Sequence, residues 1–274
     1  MRSFILKSVL SSKKFIIFIS IYILSFISLY ISFRYYTNNI DHDQSISLVI
    51  LMMIPYDIWF FTSILFSAYS SIVISEDIGK KEHYIFLKSV YRSSFRKYIW
   101  YKAIIVLTFL TILGTVSSLL LFSVSSSPVE SFCIGDYERL STLFLLLSII
   151  PVASTLAFTT FIPDEKAALL FTIAIYFFIN TFIAGYYLVK YATNALPYVL
   201  FTLPMYLPTA LHNWNEVYAQ TKVTYYEISG VPISELKLPY VNYNVILSTL
   251  LLYSIISIIF MVIGIEINLR RKVC

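Results

Sequence analysis

Residues 140–189 read LSTLFLLLSIIPVASTLAFTTFI, then Pro163-Asp164-Glu165-Lys166, then AALLFTIAIYFFINTFIAGYYLV. Neither apolar run carries a charge. At 1.5 Å of helical rise per residue each covers about 35 Å, enough for a hydrocarbon core roughly 30 Å thick. Three charges and a helix breaker packed into four residues leave room only for a tight turn at a membrane surface. The stretch therefore predicts a transmembrane helical hairpin, and the chain on either side extends the pattern.

Four further apolar runs lie at 15–33, 47–75, 103–124 and 245–265, uncharged except for Asp57 in the second. With 140–162 and 167–189 they make six expected spans. Composition agrees: of 274 residues 58% are hydrophobic and only 13% charged, and the mean hydropathy is +0.79. A soluble chain of this length is nearer half apolar and a quarter charged. The first run follows Arg2, Lys7, Lys13 and Lys14 but is too long, and lacks the small-residue cleavage site, for a secretory signal. The expected fold is an all-α integral membrane protein in a single transmembrane domain, 1–274, with an amphipathic N-terminal segment.

The net charge of +5 is distributed as a topology signal rather than as a nucleic-acid footprint. With residue 1 inside, about 15 of the 20 Lys and Arg fall in 2–14, 80–102, Lys166 and 270–272. Arg34, Arg139, Lys190, Lys222 and Lys237 remain outside. The positive-inside rule then expects both chain ends in the cytoplasm of a multi-pass protein of the cell membrane. It also puts the two cysteines, Cys133 and Cys274, on opposite sides. They make no disulfide framework.

The loop between the second and third runs is the one sizeable cytoplasmic segment. Ile78, Ile85 and Phe86 fall at helical spacing, as do Tyr84, Leu87 and Tyr91 on a neighbouring face. Ser93 or Ser94 can cap a following helix in which Phe95, Tyr98 and Ile99 share a side. Such a helix can lie on the lipid surface or dock in a groove on another protein.

In this loop the sequence resembles the coupling region of ABC-2-type permeases, the membrane subunits of ATP-driven exporters. The residues that carry the resemblance are Glu76, Gly79, Glu82, Phe86 with Leu87, Arg92, Tyr98 and Lys102. Lys80 stands where the family usually has threonine, and Ser89-Val90-Tyr91 where it has proline before the arginine. The similarity extends to the layout: a basic N-terminal segment, six spans, a tight turn between the fourth and fifth, and a long external loop before the last. It implies a coupling helix seated on a separate ATP-binding-cassette ATPase, export of an apolar or amphipathic cargo, and a second permease half, identical or paralogous. No Gly-x-x-x-x-Gly-Lys-[Ser/Thr] loop occurs, so ATP and Mg²⁺ are expected only through the partner and no catalysis by this chain alone. Without the resemblance the residues leave open an ATP-independent carrier or channel, or an assembly subunit.

Two features lie elsewhere. The external loop 190–244 holds an apolar, proline-broken piece, too short to span, which fits a partly re-entrant or interfacial hairpin. Pro204, Pro208 and Trp214 are its gate candidates, and a plain aromatic-belt loop is the alternative. Asp57 is the acid within a span, a candidate for a substrate or interface role or a structural acid near the outer surface. Glu266 is expected to pair with Arg270, one turn away. His42, His83 and His212 show no spacing to Cys133 that supports a nucleophile or a metal, and no metal is expected.

Overall fold

A computed structural model describes residues 9, 12–39, 44–79, 87, 89–90, 95–126, 132–162, 164–178, 200, 202–215 and 241–271. Among them the structure is all-helical. Helix α1 is Lys13–Asn39, α2 Gln44–Gly79, α3 Phe95–Ser126, α4 Ile134–Phe161, α5 Glu165–Phe178 and α6 Tyr243–Arg271, with a 3₁₀ segment Leu203–Ala210 between α5 and α6. Five helices are long and apolar enough to cross a membrane: α1, α2, α3, α4 and α6. The fifth expected span, 167–189, is represented by the 14 residues of α5, and 179–189 lies outside the described residues.

Helix starts fall where short polar side chains can take up orphan N–H groups. The Phe15 N–H donates to Ser12 Oγ at 3.1 Å, and the Asn244 N–H to Asn242 Oδ1 at 3.0 Å. In the turn at 163–166, Asp164 Oδ1 accepts the N–H of Lys166 at 2.8 Å and of Ala167 at 3.4 Å. Asp164 is thus the N-cap of α5, a new helix separated from the end of α4 by three residues.

Two apolar clusters mark the two ends of the bundle. One gathers Leu29 and Phe33 of α1, Leu51 and Ile58 of α2, Phe122 of α3, Leu140 and Phe144 of α4, Tyr176 of α5 and Ile246 of α6. The other gathers Phe18, Ile74, Ile99, Leu156 and Ile265 from five of the same helices, together with Val9 and Leu87. Successive helices therefore run in opposite directions. Residue 9, the roots of the loop 80–94, the α4–α5 turn and the end of α6 share one face, called here the basic face.

Helices α2 and α4 form the centre. Of their most apolar windows 67% and 72% are buried, against 17% for α1 and 22% for α6, so the outer two turn most of their surface to lipid. Ile17, Leu24 and Ile31 of α1 and Leu252, Ile259 and Phe260 of α6 are exposed apolar groups that water would not tolerate in such a continuous band.

Contact between helices depends on small residues, as expected where lipid removes the hydrophobic drive to associate. A Cβ on Gly114 of α3 would come within 2.6 Å of both the Phe66 ring and Ser148 Oγ. One on Gly264 of α6 would meet Thr160 Oγ1 at 2.9 Å and the Ala157 carbonyl at 3.1 Å. Hydroxyls bridge the same interfaces: Thr155 donates to Ser67 at 2.9 Å, Ser254 to the Leu146 carbonyl at 3.1 Å, and Ser154 meets Tyr176 at 2.6 Å. Helix α1 docks through aromatic rings, with Phe18 stacked on Tyr69 at 4.5 Å and Tyr22 on Phe66 at 5.4 Å.

Candidate functional site

On the basic face the helix ends that flank residues 80–94 are joined by buried and charged polar contacts. Asp77, in the last turn of α2, and Lys102 of α3 are both buried, at 2% and 5% exposure. Lys102 Nζ stands 2.6 Å from Asp77 Oδ2, and the Tyr98 hydroxyl donates to the same oxygen at 3.1 Å. Tyr98 and Lys102 are one helical turn apart, which is why both reach a single carboxylate. Burial makes each charge dependent on the other, because neither can recover its hydration.

The opposite side of the same two turns of α3 faces α6. Arg96 grips Glu266 with two nitrogens, Nη2 to Oε2 at 2.7 Å and Nε to Oε1 at 3.1 Å. Trp100 Nε1 donates to Oε1 at 2.9 Å. The expected pairing of Glu266 with Arg270 is corrected here: Arg270 contributes only longer-range attraction. Arg96 wins because its planar fork matches both carboxylate oxygens at once, a match that the sequence neighbour does not make.

Apolar packing completes this root. Leu87 is buried with Phe95, Tyr98, Ile99 and Val9, and the Tyr69 hydroxyl donates to the Val9 carbonyl at 2.7 Å. Beside Leu87, Ser89 and Val90 are exposed. Of the residues singled out for coupling, Glu76 and Gly79 lie in the final turn of α2, Leu87 faces inward, and Glu82, Phe86 and Arg92 fall outside the described residues. Tyr98 and Lys102 meet at Asp77, a residue that sequence reading left aside. In chemical terms the arrangement is a clamp: α2, α3 and α6 are tied to one another within a turn or two of the loop.

At the other end of the bundle the 3₁₀ segment is buried throughout, Pro204 and Pro208 included. Leu203, Tyr206, Leu207 and Trp214 pack with Leu51, Ile58, Leu143, Phe144 and Leu250, so the three gate candidates sit among the ends of α2, α4 and α6. Asp57 is half-buried on α2, on the span's half nearer this end.

The same end holds a cluster that residue spacing did not reveal. Asp136, in the first turn of α4, is fully buried. Its Oδ2 accepts the Cys133 N–H at 2.9 Å, the reciprocal half of a capping box. Its Oδ1 accepts the His212 N–H at 2.7 Å, and His212 Nδ1 lies 2.8 Å from Oδ2. The ligating atoms of Cys133, Asp136 and His212 all lie within 4.8 Å of one another. The expectation that Cys133 and His212 stand apart is therefore corrected: 76 residues separate Asp136 from His212, and only the packing of the 3₁₀ segment joins them. The one local signal was Cys133-Ile134-Gly135-Asp136 at the mouth of an apolar run.

Compared with known protein families, with curated proteins and with solved structures, the chain finds no match in any of the three.

Proposed function

We propose that this chain is the membrane permease subunit of an ATP-driven exporter, moved by a separate ATPase that binds the loop 80–94 on a cytoplasmic basic face. The observation that carries this reading is the clamp beneath that loop. A loop that only lay on lipid has no need of a buried Lys102–Asp77 pair and a forked Arg96–Glu266 pair at its root. A loop that receives mechanical work does. Because the pairs join α2, α3 and α6, displacement of the loop shifts three helices together, and with them the end where the 3₁₀ segment packs.

Three further points support the reading. Among the described residues Lys13, Lys14, Arg96, Lys97, Lys102, Lys166 and Arg270 lie toward the loop's face, as the positive-inside rule expects of cytoplasm. The residues that resemble the ABC-2 coupling region include Tyr98 and Lys102, both in the clamp. Apolar spans with Asp57 as their acid suit an apolar or amphipathic cargo, and a second permease half would complete the pathway. The test is co-purification in mild detergent, with the genes flanking this one co-expressed. An ATPase recovered in stoichiometric amount, and lost when 82–92 is replaced by a Gly/Ser linker, is the expected result. A wild-type chain that never retains an ATPase contradicts the reading.

A further inference from the structure

The cluster at the end of the bundle opposite the basic face has a use that does not depend on how transport is powered. We propose that Cys133, Asp136 and His212 bind a thiophilic divalent cation, with zinc as the best fit, and that the bound ion staples the 3₁₀ segment to the start of α4.

Donor chemistry comes first. One thiolate, one imidazole and one carboxylate form a mixed S, N, O set suited to zinc, whereas magnesium and calcium prefer oxygen alone. Zinc bonds of about 2.0–2.3 Å place tetrahedral ligand atoms roughly 3.3–3.8 Å apart. The three atoms here already lie within 4.8 Å of one another, so taking up an ion needs shifts of about 1 Å, with the His212–Asp136 pair opening from 2.8 Å and Cys133 drawing in. Two of the three can make such shifts, because Cys133 is exposed and the His212 side chain is 49% exposed.

The third ligand must not move, and it is held. Asp136 is fully buried, with its oxygens fixed by the backbone N–H groups of Cys133 and His212. Such outer contacts orient a ligating carboxylate and sharpen affinity. The ion takes the place between His212 Nδ1 and Asp136 Oδ2 that a proton fills without it. Binding displaces that shared proton, to solvent where the imidazole is charged and to Nε2 where it is neutral, and releases the Cys133 thiol proton to solvent. Three protein ligands leave a fourth position for water or an incoming donor.

The same three residues do not form a nucleophilic triad. In that arrangement the imidazole lies between thiol and acid, whereas here Asp136 contacts both. The consequence of metal is instead mechanical. His212 follows the buried 3₁₀ segment within two residues of its end, so an ion fixed to α4 holds that segment in place.

The experiment uses the full chain in lipid nanodiscs, stripped with chelator, in a Cys274→Ser background that leaves Cys133 as the single thiol. Zinc is titrated against a chromophoric chelator, and maleimide labelling of Cys133 is timed with and without zinc. One equivalent of zinc should bind and slow labelling at least about tenfold, since only the thiolate reacts and the ion occupies it. Loss of an outer-shell contact costs about 10–100-fold in affinity, so losing a direct ligand in Cys133→Ser or His212→Ala should cost at least about 100-fold. Equal zinc uptake by the parent and both variants overturns the proposal. So does full-rate labelling of Cys133 in the unsubstituted His212 chain at saturating zinc, a readout that needs no further variant to fold.

Discussion

Replacing Lys102 with methionine removes a charge from the clamp while nearly preserving its volume. At 2.6 Å and an effective dielectric near 20, the attraction lost is about 6 kcal/mol in gross terms. Most of that is offset by the cost of having buried both ions, so the pair itself contributes little net stability. The single substitution is another matter. It leaves Asp77 at 2% exposure without its cation, though still accepting from the Tyr98 hydroxyl, and breaking one side of a buried pair costs about 3–5 kcal/mol. The companion Asp77→Asn strands Lys102 in the same way. The double variant strands nothing, and is expected within about 1–2 kcal/mol of wild type. Reversible unfolding in mixed micelles, followed by tryptophan fluorescence, supplies the double-mutant cycle. A single variant costing under about 1 kcal/mol, or a double variant that loses the sum of the two singles, would refute the buried-clamp reasoning.

Other outcomes follow from the same geometry. Gly114→Leu pushes a side chain into the Phe66 ring and Ser148, each 2.6 Å from where its Cβ must sit, and should cost about 1–3 kcal/mol or more by the same unfolding titration. Asp164→Ala removes the cap of α5 and should cost about 1 kcal/mol, seen as a lower thermal midpoint with unchanged membrane insertion. Tyr206→Ala empties one of the largest fully buried sites and should destabilise by about 3–5 kcal/mol, with Trp214 more open to acrylamide in a background lacking Trp59 and Trp100. From the proposed coupling role rather than from that geometry, Glu82→Ala and Arg92→Ala should leave insertion intact but separate ATP hydrolysis from transport in the reconstituted complex. From the positive-inside rule, an impermeant maleimide applied to intact cells should label Cys133 and spare Cys274.

The apolar runs mark where lipid lies, and the helices run past them at both ends. The run 103–124 sits within Phe95–Ser126, and 245–265 within Tyr243–Arg271, because a helix continues into the headgroup zone until a cap or breaker ends it. Asp164 was visible as part of a turn for that reason. The proline-broken apolar piece before Trp214 was visible as non-spanning, and it forms a buried 3₁₀ segment. What local pattern could not show was pairing across helices. Asp77 lies 25 residues from Lys102 and Arg96 lies 170 from Glu266, and nothing in periodicity links them. The sequence alone pairs Glu266 with its neighbour Arg270, because i,i+4 is the one charge pairing that a lone helix reveals. His212 and Asp136 meet only after the segment between α5 and α6 folds back onto α4.

Exposed Val90 lies next to the buried anchor Leu87, which makes it the natural probe of the claim that a separate motor holds this loop. A photo-crosslinking amino acid placed at Val90 in living cells should capture one protein, identified by mass spectrometry as an ATP-binding-cassette ATPase, with the same probe at exposed Ile255 on α6 capturing none. A Val90 probe that yields only lipid, or only a second copy of this chain, contradicts the account.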